Sequence, residues 1–243
     1  MIQLVTYCDQ TMTLAAALCE ESGKLYGGAD SACRFMPDED SPVLQTRGLG
    51  YWAWKPAIIE RVMNGDKSFL KPLNDGDVLI YSDAGVQFLN NVRYIIDRMD
   101  QDIFLFGNHW EHEHWCKRDI IKEIWPEGHF GKQCQASVIF VRVSPASRDF
   151  VANWRHWCEF DGGRLIDDSP SRTPNHPEFQ ENRHDQAILT TLAYREGIKL
   201  HYWPARYEGG FDYPKHEQYQ TDDYPILFYH HRLRNHEWAR MVA

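Results

Sequence analysis

Residues 76–85 read GDVLIYSDAG: an apolar run that ends on a serine, an aspartate, an alanine and a glycine. A continuous apolar run between two turn signals fits a central strand buried on both faces. The carboxylate at its end is the feature to explain. In a crevice, Asp83 can hold a hard cation, act as acid or base, or bind a sugar hydroxyl. It equally fits the N-cap of a helix opening at about Val86. Gly85 leaves space for a ligand to approach the backbone.

Working outward, IQLVTY (2–7) reads as a strand and 10–22 as a helix stopped by Gly23. Residues 27–48, rich in Gly, Asp and Pro, read as loop. Pro56 suits the first turn of a helix that ends at Asn64-Gly65. Helical period predicts a helix over 86–99. Strands are expected at 102–107, 136–143, 198–204 and 226–231. Further helices are expected at 117–125, from Ser144-Pro145 to about Phe160, and at 185–197. Residues 161–182 read as a lid or site loop, and 205–225 as irregular. Strands alternating with helices predict an α/β fold with a mostly parallel central sheet, and a single domain is expected over residues 1–243. Ligands in such sheets bind beyond the carboxyl ends of the strands. Asp83 stands at one such end and Tyr7-Cys8-Asp9 at another.

The bulk numbers agree with a globular enzyme or binding protein. The chain has 243 residues, 43% hydrophobic and 25% charged, enough to bury a sizeable core. A net charge of -9 without any Lys/Arg run argues against a nucleic-acid partner. The six cysteines form no C-x-x-C pair, so a zinc ribbon is not expected. Neither a signal peptide nor a transmembrane segment is expected, and the expected location is cytoplasmic. Peripheral association with the inner membrane through an exposed aromatic patch stays open.

The order IQLVTYCD, RGLGYWAWKPAII, GDVLIYSDAG, HWCKRD, ASVIFVRVSPASRDFVANW, RHDQAIL resembles a GT-A-type glycosyltransferase over nearly the whole chain. It is similar to small bacterial and viral enzymes of surface polysaccharide synthesis. The resemblance implies a GT-A-like (Rossmann-like) domain and transfer of a sugar from a UDP- or GDP-linked donor to a glycan-like hydroxyl acceptor. It also implies an Asp-x-Asp motif that grips Mn²⁺ or Mg²⁺. Asp83 matches the first carboxylate of that motif, but Gly85 stands at the second. A C-terminal histidine, His230 or His231 in YHHRLRNH, would complete the metal set, with Arg232 or Arg234 near the phosphates. Thr6, Tyr7 and Asp9 would face the nucleotide, with Ala84 beside them. Lys55 would face the sugar or the diphosphate; otherwise it is a solvated lysine at a helix start, an odd place for a cation given the helix dipole. Trp52 and Trp54, at alternating spacing, would share one face toward a sugar, or else pack in the core. Asp185, with Gln186 and His184 beside it, would bind sugar hydroxyls or stabilise an oxocarbenium-like transition state in a retaining reaction. Asp185 also fits a plain N-cap. Lys117, Arg118 or Asp119 of HWCKRD would meet acceptor or donor.

Two other functions compete. NHWEHEHW (108–115) holds His109, His112 and His114, which invites a metal-dependent hydrolase. The spacing is not H-E-x-x-H, so a solvated loop is the simpler expectation. The missing second carboxylate and the many tryptophans would also suit a non-catalytic carbohydrate-binding protein.

Overall fold

The computed structural model describes residues 1–37, 46–65, 72–208, 210, 212–214 and 224–237. A six-stranded sheet forms its centre. The strands are β1 (Ile2–Tyr7), β2 (Ser31–Phe35), β3 (Val78–Asp83), β5 (Ile103–Glu111), β6 (Lys132–Arg142) and β7 (Leu200–His201), in the order β2-β1-β3-β6-β5-β7. β1 is parallel to β2 and β3, and β5 to β7, while β6 runs antiparallel to both its neighbours. The sheet is therefore mostly parallel, as expected.

β1 and β3 are apolar along almost their whole length because both faces are covered. Val5, Tyr7, Leu79 and Tyr81 join the core on one face, and Ile2, Leu4, Val78 and Ile80 join the core on the other. The first face carries α3 (Trp54–Asn64), α5 (Arg118–Ile124), α6 (Pro145–Glu159) and α7 (His184–Arg195). On the second lie α1 (Thr13–Leu25), the short α4 (Arg93–Ile96) and a small sheet of β4 (Val86–Phe88), β9 (Phe228–His230) and β8 (Ala205–Tyr207). α6 starts as its sequence predicts: Ser144 and Ser147 form a reciprocal capping box and Pro145 opens the first turn.

Several elements differ from expectation. β2 falls inside the expected loop, because it is a half-buried edge strand without an apolar run, its Arg34 paired to Glu20 at 3.1 Å. The helix expected at 86–99 is instead β4 followed by α4. Val86 and Phe88 are fully inside with Gln87 between them, a strand alternation, and Asn91 Oδ1 accepts from Arg93 N to restart the chain as a short helix. Gly23 does not stop α1. A side chain there would put its Cβ 2.2 Å from Leu4 Cδ2, so this glycine lets the helix lie close on β1. β7 and β9 are shorter than expected, and β8 lies in the stretch expected to be irregular. Among the described residues no helix is long and apolar enough to cross a membrane.

The topology also sets where a ligand can bind. In the β1–β3 register Tyr7 lies opposite Asp83, so two strand ends meet side by side. β6 runs the other way, with Val138 opposite Ser82, which brings the residues before it to the same rim.

Candidate active site

A cleft of about 540 Å³ opens at that rim, within the usual size of small-ligand sites. Its floor is a buried charge array. α3 presents Lys55 from its first turn, and α7 presents Asp185 from its own. Lys55 Nζ donates to the Ala136 carbonyl at 3.1 Å and lies 3.3 Å from Asp83 Oδ1 and 3.5 Å from Asp185 Oδ2. The conflict between a lysine and a helix start is thus answered by two carboxylates of the chain itself. Tyr81 donates to the same Asp83 Oδ1 at 2.6 Å. Burial, with the Asp83 charge, pushes the Tyr81 phenol well above its ordinary range, so it remains a donor. Burial opposes the Lys55 charge, but Asp185 and Asp83 outweigh it and hold the ammonium above its ordinary pKa. Burial raises Asp185 to about 7 despite the attraction of Lys55.

The walls hold unusual backbone. Gly48, Leu49, Gly50, Tyr51 and Trp52 all have positive φ, so α2 (Gly48–Tyr51) is a single left-handed turn. Six described non-glycine residues have positive φ, and Leu49, Trp52, His184 and Arg232 among them line the cleft. Each such residue costs of order 1–3 kcal/mol, and such strain gathers at functional sites. Trp52 and Trp54 both line the cleft, each against a different neighbour. Trp52 packs on His184 at 5.3 Å between ring centres, while Trp54 stacks on Tyr7 at 3.9 Å. His184 is buried, with Nδ1 2.6 Å from the Ile166 carbonyl oxygen, and burial lowers its pKa.

Of the residues singled out in the sequence, Tyr7, Asp9, Trp52, Trp54, Lys55, Asp83, Ala84, His184, Asp185, Gln186, His230 and Arg232 line this one cleft. Gln186 does so with its amide engaged, accepting from Ala136 N at 3.2 Å and donating to Gln133 Oε1 at 2.7 Å. Thr6 lies beneath the cleft, fully buried in β1. His231 is buried and accepts from Leu233 N at 3.0 Å, outside the lining.

HWCKRD is placed elsewhere, as a strut under the 161–182 loop. Lys117 Nζ donates to Asp167 at 2.7 Å and to the Arg164 carbonyl at 3.0 Å. Asp119 accepts from the backbone N–H groups of Arg172 and Thr173 and from Arg164. Arg118 pairs with Glu113 at 3.2 Å. None of the three lines this cleft; the charges of Lys117 and Asp119 tie a polar loop to the start of α5. The loop in turn leads into Arg183 and His184 on the cleft wall. The signal in that motif was real, but spacing alone does not distinguish a ligand contact from a loop anchor.

The sequence reading passed over Arg47, Trp110, Gln135 and Arg183, which also line the cleft. Arg183 lies against the stacked pair Trp110 and Trp115, whose ring centres are 4.7 Å apart, with its guanidinium 4.5 and 4.4 Å from them. Its position directly before His184-Asp185 was the one hint in the sequence.

The metal set implied by the resemblance does not fit these residues. The position of the second carboxylate is closed, because a Cβ on Gly85 would lie 2.8 Å from Arg232 Cα, and Gly85 O accepts from His231 N and Arg232 N. The chain's own backbone, not a ligand, uses the room that glycine leaves. His230 lines the cleft, and its buried Nδ1 has no hydrogen-bond partner, but its Nε2 accepts from Arg232 Nε at 3.1 Å. Asp83 Oδ1 already has Tyr81 and Lys55. The residues present do not make up the implied donor set.

The histidines of NHWEHEHW are dispersed. His112 is buried against Thr191 at 3.0 Å, and His109 contacts the Tyr213 hydroxyl at 2.7 Å. Among the described residues one metal-ligating group of three occurs, His114 with His176 and Glu178, and it contains neither of the other two.

No protein-family model matches the sequence, and no curated protein matches it at a significant level. Solved structures do. A glycosyltransferase involved in the glycosylation of the major capsid of PBCV-1 is 13% identical, with a TM-score of 0.51 over 94% of this chain and 92% of that one. The galactosyltransferase LgtC, solved with donor and acceptor sugar analogues, is 14% identical, with a TM-score of 0.50 over 95% of this chain and 87% of that one. The bifunctional glycosyltransferase WbbM is 8% identical, with a TM-score of 0.52 over 94% of this chain but 45% of that one. At such identities the likeness establishes architecture: this chain has an α/β fold of the GT-A glycosyltransferase type.

Proposed function

We propose that this cleft transfers a sugar from a nucleoside diphosphate sugar, UDP- or GDP-linked, to a hydroxyl of a glycan-like acceptor, with retention at the anomeric carbon. The observation that carries the reading is the Asp83–Lys55–Asp185 array at the carboxyl rim of a sheet of this fold. Support comes from the size of the cleft and from the aromatic pair Tyr7–Trp54 beside the β1 end, where a base or sugar ring can pack. The retaining course rests on Asp185 opening α7 in the RHDQ pattern.

In the reaction, the bond from the anomeric carbon to the diphosphate oxygen breaks and its electron pair leaves with the nucleoside diphosphate. The acceptor oxygen bonds to the same face of the carbon, and its proton passes to the departing phosphate oxygen. Asp185 faces the sugar and stabilises the positive charge that develops there, a preorganised electrostatic role. Lys55 is a positioning residue that holds both carboxylates in place. Gln186 fixes α7 to β6.

The test is donor turnover on a panel of UDP- and GDP-sugars, followed by NMR to read the anomer formed. Asp185→Asn should fold and lose at least about a hundredfold in turnover, as removal of one such stabilising group does. Wild-type rates in that variant would overturn the assignment of Asp185, and an inverted product would overturn retention.

A further inference from the structure

We propose that fixed guanidinium groups, those of Arg232 and Arg234, neutralise the donor's diphosphate in place of a divalent cation. The inference rests on the nucleotide-sugar reading of the cleft and adds how that substrate's charge is met.

Three observations point the same way. First, the second carboxylate is not merely absent. The 230–232 backbone is packed onto Gly85, so no side chain fits at that position without moving it. Second, one ring nitrogen of His230 is already taken by a cation, since Arg232 Nε donates to His230 Nε2, while Nδ1 has no partner. Arg232 also sits in a left-handed conformation, φ 57, fastened through its own N–H to Gly85 O. The strained backbone and the glycine thus act together to bring a guanidinium to the Asp83 rim. Third, among the described residues neither guanidinium on this wall is in an ion pair, although Glu237 accepts from the Arg234 backbone N–H. Arg232 and Arg234 both line the cleft, and no carboxylate among the described residues pairs with either side chain. The other rim arginines are different: Arg47 pairs with Glu181 and Asp168, and Arg183 with Glu181. Two such guanidinium groups match a sugar-linked diphosphate of about two negative charges, with bidentate geometry available to each. In a chain of net charge -9, such a patch is not background.

The test is calorimetric titration of UDP, GDP, ADP, CDP and dTDP into the full chain, in EDTA and separately in Mn²⁺. Wild type, Arg232→Ala, Arg234→Ala and Arg234→Lys are compared, with circular dichroism confirming that each is folded. The expected result is binding of at least one nucleotide in EDTA, with no more than about a twofold gain in Mn²⁺. Each alanine variant should weaken that binding about tenfold or more, and more steeply at low salt, while Arg234→Lys recovers part of it. Binding that requires Mn²⁺ and ignores both arginines would overturn the inference while leaving the donor reading intact. Absence of binding to all five nucleotides in both buffers would overturn the donor reading and this inference with it.

Discussion

Lys55 Nζ stands 3.5 Å from Asp185 Oδ2 inside the protein, where each side chain is 4% exposed. Such a pair is costly to bury and costlier to break, since removing one partner leaves the other charge unpaired in a poor solvent. Asp83, about a third exposed, is open to solvent, so the penalty falls mainly on Asp185.

Lys55→Met should therefore destabilise the chain by about 3–5 kcal/mol at pH 8. Without its cation, Asp185 would titrate still higher than about 7. Below that pKa the folded variant binds a proton that the unfolded chain, with an ordinary carboxyl, does not hold. Stability must then fall as pH rises through this window, and the loss should be smaller at pH 6 than at pH 8. Urea denaturation at both pH values checks this, and equal losses would remove Asp185 as the cause.

The same linkage predicts a signature for Asp185→Asn. In the wild type, burial raises Asp185 to about 7, so between the ordinary carboxyl range and pH 7 the folded state carries the extra proton. This contribution makes stability decline with rising pH by at most about 1.4 kcal/mol per unit. The buried histidines act in the opposite sense. Burial lowers His112 and His230 to about 3 and His231 to about 4, so the unfolded chain binds protons first as pH drops below the ordinary histidine value. Their stabilisation is complete above that value and is lost on acidification. Wild type should lose stability from pH 7 to pH 5, and Asp185→Asn should lose it more steeply, by nearly one proton's slope. Unfolding free energies across that range read the difference directly; parallel curves would contradict it.

Much of this cleft is legible in the sequence, for reasons that differ residue by residue. Asp83 announced itself because a two-face-buried strand has no packing reason to end on a carboxylate. Lys55 stood out as a cation at a helix start, whereas Asp185 was marked only by the resemblance, since an acid at a helix start otherwise reads as an ordinary cap. β1 and β3 were plain because parallel strands covered on both faces spell continuous apolar runs. β2 and β4 were not, since an edge strand and a three-residue strand carry too little pattern to compete with a turn or helix reading. Trp52 and Trp54 both reach the cleft, although through a left-handed turn and not the extended backbone that period-two reasoning assumes. Arg183 was hidden because a lone arginine in sequence looks solvated, and its two tryptophan partners come from 68 to 73 positions earlier, a proximity only the fold creates.

Gly85 supplies a third prediction. A methyl group at that position would meet the Arg232 Cα, and backbone cannot rotate away as a flexible side chain can. Gly85→Ala should cost about 1–3 kcal/mol, the usual range for overpacking. It should also release the amide N–H groups of His231 and Arg232, which now donate to Gly85 O at 3.0 and 3.2 Å. Hydrogen exchange should show those two amides losing protection while β1 amides keep theirs. If both amides remain protected, the close approach is softer than the distances imply.

Asp119 tests whether the loop after α6 is held from below. It is 3% exposed and accepts from Arg172 N at 2.8 Å, Thr173 N at 2.9 Å and Arg164 Nη1 at 2.7 Å. Burial opposes its charge, and these donors overcome that effect, holding the carboxyl below its ordinary pKa. Asp119→Ala leaves the two backbone donors without their acceptor, while Arg164 keeps Asp161 and Glu123, at about 1–3 kcal/mol for each buried donor left unsatisfied. The expected consequence is local: amides of residues 172 and 173 exchange faster, and limited proteolysis cuts within 164–182, while the sheet stays protected. Because this loop runs into Arg183 and His184, donor affinity should fall together with loop protection, and Asp119→Asn should restore part of each. A variant whose loop opens while donor binding stays unchanged would show that the strut serves stability alone.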